Sequence, residues 1–111
     1  MEAASFFSII DYAVDNPETQ QAIIDAFAEV QRTWVAHHQG YVYAKFFAST
    51  DGIRVTSIVA WKSEADFVRF EEAPDGPERL AAIRRALDGL SCRGERRSFT
   101  LARAVEPRPN S

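Results

Sequence analysis

The chain has 111 residues, 46% of them hydrophobic, with eight Phe, three Tyr and two Trp and a formal charge of −3. That is one domain's length and enough apolar material for a core, which excludes a disordered chain. Thirteen basic side chains against sixteen acidic ones leave no basic stripe, so nucleic acid is not an expected partner.

Residues 5–14 are rich in β-formers and predict a strand. Asn16-Pro17-Glu18 then opens a helix, because Asn caps well and Pro suits the first helical position. Ile23, Phe27, Val30 and Trp34 follow as one apolar stripe, and Gly40 after His37, His38 and Gln39 is a natural stop. Residues 41–49 and 53–61 predict two strands joined at Asp51-Gly52, a pair that favours a tight hairpin with left-handed dihedrals. Ser63-Glu64-Ala65-Asp66 has the form of a capping box and starts a short helix with Phe67 and Phe70. Ala73-Pro74-Asp75-Gly76-Pro77 breaks it, and Leu80, Ile83, Leu87 and Leu90 mark a third helix. Residues 96–105 predict the last strand and 106–111 a short tail, so residues 1–105 form the expected single domain.

The order β-α-β-β-α-(α)-β is the split βαβ pattern of an α+β, ferredoxin-like fold. Alternation puts Tyr43, Lys45 and Phe47 on one face of the second strand, and Ser57 and Trp61 on one face of the third. Both sheet faces are largely apolar, yet the helices of this topology cover only one. A second copy of the chain is the simplest cover for the other, giving a homodimer whose sheets form an α/β barrel.

Other signals are exclusions. One cysteine, Cys92, makes no internal disulfide and fits a reducing cytoplasm. Met1-Glu2-Ala3-Ala4 lacks a basic n-region, and no apolar run reaches membrane-spanning length. The expected location is therefore the cytoplasm, with no membrane partner. No phosphate loop, Cys-x-x-Cys, nucleophile elbow or i, i+4 metal pair occurs.

Single residues carry what chemistry there is. His37 and His38, as neighbours at a helix end, diverge by about 100° and do not converge on one metal. They read either as charges welcome at a helix C-terminus or as a base near a pocket. Cys92 has arginines nearby but no base, and reads as packing. Arg84 borders the apolar stripe and either snorkels outward or binds an anionic oxygen such as a phenolate. Trp61 is either core or a flat face for an aromatic ligand, with an indole N–H needing a partner. Trp34, Tyr43, Phe47, Phe67 and Phe70 suit the same space, with Lys45 and Ser57 as polar groups among them.

Four stretches carry a family resemblance: Val14-Asp15-Asn16-Pro17-Glu18-Thr19-Gln20, the aromatic after Gly40, Ala48-Ser49-Thr50-Asp51-Gly52, and Ala60-Trp61-Lys62-Ser63-Glu64. With them the chain resembles the antibiotic biosynthesis monooxygenases, in particular the cofactor-free, quinone-forming enzymes of aromatic polyketide pathways. The resemblance implies a dimeric α/β barrel. It also implies oxidation of an anthrone-like phenol to a quinone by O2, without flavin, haem or metal. It makes Trp61 a pocket tryptophan and Arg84 a pocket arginine, with Ser57 completing the catalytic set. Three positions depart from the family pattern: Ser57 replaces an asparagine, Phe67 a tyrosine and Phe47 a histidine. Each removes a polar group. No histidine follows Ser63, which argues against the haem-degrading relatives. A polyketide cyclase on the same barrel and a non-catalytic dimer binding an aromatic are the alternatives.

Overall fold

Asn16 ends the first strand and starts the first helix. Its backbone is extended (φ −163°) and its Oδ1 accepts the Thr19 N–H at 2.8 Å, with Pro17 behind it. The computed structural model describes residues 3–90 and 92–109; the other five residues and the side chain of Cys92 lie outside it. The elements are β1 (Phe6–Val14), α1 (Pro17–Val30), a π-helical turn (Gln31–Val35), β2 (Tyr41–Ala48), β3 (Arg54–Trp61), α2 (Glu64–Glu71), α3 (Gly76–Ala86) and β4 (Cys92–Thr100). The strands form one antiparallel sheet in the order β2-β3-β1-β4, the ferredoxin-like arrangement.

Three local features differ from the sequence expectation. The helix expected to run on to Gly40 changes pitch at Gln31, where the Ala36 N–H bonds the Gln31 carbonyl five residues back at 2.8 Å. Such a π-turn rotates every later side chain relative to the α-helical stripe. The β2–β3 connection is longer than a two-residue hairpin. Only Gly52 is left-handed (φ +83°), and the Gly52 N–H bonds the Ser49 carbonyl while Ser49 Oγ accepts the Arg54 N–H at 2.9 Å. A primed turn requires positive φ at Asp51 as well, and among the described residues only glycines have it. The last strand starts at Cys92 and ends at Thr100, where β1 runs out of partners; residues 101–109 are exposed.

Gln20 ties α1 to the hairpin. It is buried, and its Nε2 donates to the carbonyls of Ser49 (3.1 Å) and Arg54 (2.9 Å). Ser63 caps α2 as its motif predicts, its Oγ accepting the Asp66 N–H and donating to Asp66 Oδ2. Asp75 stands at the cap position of α3 but makes no cap bond. Its carboxylate is turned toward Arg79 and His38 instead.

The hydrophobic core gathers Phe6, Val35, Val59, Trp61, Phe67 and Phe70 on the helix-covered face. Burying each such side chain contributes about 1.5–3 kcal/mol. Among the described residues nothing covers the opposite face. Phe7, Ile9, Tyr43 and Ile58 are only half-buried there, and Phe47 and Phe99 are 51% and 45% exposed. Among the described residues no helix is long and apolar enough to cross a membrane.

Candidate active site

A cavity of about 340 Å³ lies between the sheet and the helices, within the range of roughly 300–1,000 Å³ usual for small-molecule sites. Strand alternation decides which side chains reach it. Phe6, Ser8, Ile10 and Tyr12 on β1 pair with Trp61, Val59, Ser57 and Val55 on β3, and both sets face the helices. Arg96 on β4 pairs with Ile10 and so shares that face. Trp61, Ser57, Phe67 and Phe70 all line the cavity, so the structure brings these four sequence candidates together.

It does not bring the others. A β-bulge between Tyr41 and Tyr43 shifts β2 by one residue against β3. Tyr41 therefore packs edge-on against Trp61 (5.7 Å between ring centres), while Tyr43, Lys45 and Phe47 fall on the uncovered face. Lys45 pairs with Ile58, not with the Ser57 row, and Phe46 takes the inward place expected of Phe47. The π-turn has a like effect in the first helix. Val35 and Gln31 line the cavity, and Trp34 packs at the edge of the core toward α3. Arg84 is exposed on α3 and lines no part of the cavity.

Two other arginines hold the inward positions. Arg79 is only 7% exposed; its Nη1 donates to Asp75 Oδ1 at 3.1 Å and its guanidinium lies 4.1 Å above the Phe70 ring. Arg96 donates from Nε to Ser8 Oγ (3.2 Å) and from Nη2 to Glu71 Oε1 (3.0 Å), and stacks over Phe67. The sequence reading missed Arg79, although its place four and eight residues before Ile83 and Leu87, on their stripe, was a signal that could have found it. Gln31, four residues after Phe27, was missed in the same way. Arg96 and Glu71 had no such signal.

Two polar atoms of the cavity wall have no partner among the described residues: Trp61 Nε1 and Gln31 Oε1 are both buried without a hydrogen bond. A buried unsatisfied group costs about 1–3 kcal/mol, so a donor and an acceptor held this way are poised for a ligand. His37 and His38 lie outside the cavity wall. Their rings are 4.5 Å apart, and His38 stands edge-on to Phe70 at 5.0 Å. Contrary to the sequence expectation they do converge, because both sit in the turn after the helix rather than on it.

An apolar, aromatic-walled cavity with a free indole donor, a free amide acceptor and two guanidinium groups suits a planar aromatic molecule bearing oxygens that carry partial negative charge.

No protein-family model matches the chain. Over 61 residues it is 34% identical to the tetracenomycin-F1 monooxygenase of Streptomyces glaucescens, a match covering 55% of this chain and about half (54%) of that protein. Its structure superposes on a monooxygenase from the gene ActVA-Orf6 of Streptomyces coelicolor, solved in complex with nanaomycin D, with a TM-score of 0.77 and 26% identity over 95% of this chain and 94% of that one. The fold is shared with SnoaB, a cofactor-independent oxygenase from Streptomyces nogalater, with a TM-score of 0.71 and 17% identity over 95% of this chain and all of that one. The chain is thus similar to Streptomyces monooxygenases, in sequence over about half its length and in fold over nearly all of it.

Proposed function

We propose that the chain is a cofactor-independent monooxygenase that oxidises an anthrone-like aromatic polyketide to a quinone with O2. The observation that carries this is the pairing of an aromatic-walled cavity with two buried, unpartnered polar atoms, Trp61 Nε1 and Gln31 Oε1. The tetracenomycin-F1 monooxygenase and the nanaomycin-binding monooxygenase lend the reaction class and the ligand class.

The chemistry needs little from the protein. Dioxygen is a triplet and reacts slowly with closed-shell molecules, but an electron-rich carbanion can reduce it directly. The substrate's methylene carbon loses a proton, and the charge spreads onto its carbonyl oxygen. Trp61 Nε1–H and Arg79 are the donors for that oxygen, and Gln31 Oε1 accepts a phenolic O–H. Glu71, held by Arg96 at the cavity wall, takes the methylene proton. One electron passes to O2, the radical pair recombines, and protonation gives a carbon-bound hydroperoxide. Loss of water, using the second methylene hydrogen, leaves the quinone carbonyl. The balance is substrate plus O2 to quinone plus water. Ser57, buried beside this path, is small where an amide would fill space.

Metal- and flavin-free protein incubated with anthrone in air is expected to give a product heavier by one oxygen and lighter by two hydrogens, faster than without protein. Nitrogen abolishes the product. Trp61→Phe lowers the rate about ten-fold, the equivalent of one lost hydrogen bond of about 1.4 kcal/mol. No acceleration in air, with water lost from a poly-β-ketone instead, would favour the cyclase.

We further propose that the uncovered sheet face is closed by a second copy. Apolar residues on a sheet face with no cover are typical of an interface, and Phe47 and Phe99 are its most exposed aromatic rings. Light scattering is expected to give twice the 12.5 kDa chain mass. The double change Phe47→Glu, Phe99→Glu is expected to give a monomer; a wild-type monomer overturns the proposal.

A further inference from the structure

Beside Phe70, outside the cavity lining, the turn after the π-helix meets the start of α3. We infer that His37, His38 and Asp75 form a binding site there for one divalent transition cation of the zinc type. The inference does not rest on the oxygenase reading, because none of the three residues lines the cavity.

The three side chains each offer one ligand atom, and these atoms lie within 4.8 Å of one another. His38 Nε2 is 3.5 Å from Asp75 Oδ2. Metal bonds of about 2.0–2.2 Å place neighbouring tetrahedral ligand atoms about 3.3–3.6 Å apart, so this pair already stands at coordinating separation. His38 Nε2 is also buried without a hydrogen bond, and its ring is held against Phe70. His37 is exposed, and rotation of its side chain closes the remaining distance. Asp75 divides its two oxygens: Oδ1 accepts from Arg79, and Oδ2 faces the imidazoles. That division explains why Asp75 makes no cap bond to α3.

The donor set selects the ion. Two imidazole nitrogens and one carboxylate oxygen suit zinc, nickel, cobalt or copper, whereas magnesium and calcium require mainly oxygen ligands. Three protein ligands leave a fourth position for water. Through Asp75 and Arg79 the bound ion stiffens the back of the cavity without touching its contents.

The test is calorimetric titration of the full chain, stripped with chelator and desalted, with zinc chloride at pH 7.5, and absorption with cobalt chloride. One ion per chain and tetrahedral cobalt bands are expected. His37→Ala, His38→Ala and Asp75→Asn are each expected to weaken zinc at least about ten-fold, and magnesium chloride is expected to give no heat. Wild-type protein without one-to-one binding overturns the inference, as does affinity unchanged within two-fold in the three variants. Should His38→Ala or Asp75→Asn disturb the fold, the exposed His37→Ala alone decides the matter.

Discussion

Replacing Arg79 with methionine is expected to lower kcat/KM toward an anthrone by about a hundred- to a thousand-fold, the usual cost of removing one donor to a developing oxyanion. Arg79 is buried in the cavity wall and spends one of its five N–H donors on Asp75. The rest are available to a substrate oxygen, and the Phe70 ring beneath helps hold the planar guanidinium in place. Methionine keeps the length and apolar stem of arginine, so the fold survives while the charge is lost. Asp75 is partly exposed, and its abandoned oxygen is hydrated rather than stranded. Arg79→Lys is expected to recover only part of the rate, because an ammonium cannot present the planar fork. Arg84→Met, on the exposed side of the same helix, is expected to change kcat/KM by less than about two-fold. A large effect at Arg84 with none at Arg79 would return the role to the position that the family resemblance names.

The exchange of one arginine for the other shows what a sequence can and cannot carry. Caps and turns are local chemistry, so Asn16, Ser63 and Gly52 placed the element boundaries they govern within a residue or two, whereas the helix expected to stop at Gly40 ends at Val35. Alternation along β1 and β3 was equally readable, and it grouped Ser57 with Trp61 correctly. What failed was phase. One bulged residue between Tyr41 and Tyr43 turned Tyr43, Lys45 and Phe47 to the far face, since strand period is two and a single slip inverts every side chain. One π-turn moved Trp34 outward and Val35 inward. Neither irregularity has a sequence signature as strong as a cap. The pairing of Arg96 with Ile10 is a register between distant strands, which nothing local specifies. By contrast, Arg79 and Gln31 were passed over although they stand as polar residues on apolar helix stripes, and a polar residue in such a place is the better pointer to a site than another aromatic among many.

Gly40→Ala is expected to destabilise the protein by about 3 kcal/mol and to lower its Tm on the order of 10–20 °C. Two costs add. Gly40 has φ +87°, where a side chain costs about 1–2 kcal/mol. A Cβ there would also stand 2.2 Å from Asp66 Cγ and 2.4 Å from Asp66 Cβ, so something must move. The Gly40 carbonyl accepts the Lys62 N–H at 2.8 Å, which ties the turn to the end of β3. Asp66 in turn is fixed by Arg69 and by Ser63 Oγ, and those two bonds, the Arg69 one foremost, hold its carboxyl below the usual aspartate range. Pushing Asp66 aside therefore loosens the cap of α2. That helix carries Phe67, Phe70 and Glu71 into the cavity wall, so activity is expected to fall more than unfolding alone accounts for. Gly89→Ala is the control. Its φ is +79°, yet a Cβ there meets nothing within 4 Å, and only the backbone cost of about 1–2 kcal/mol applies. Chemical denaturation of both variants separates the two contributions. Equal losses would mean that Asp66 yields freely and that the contact at Gly40 does not brace the helix beneath the cavity.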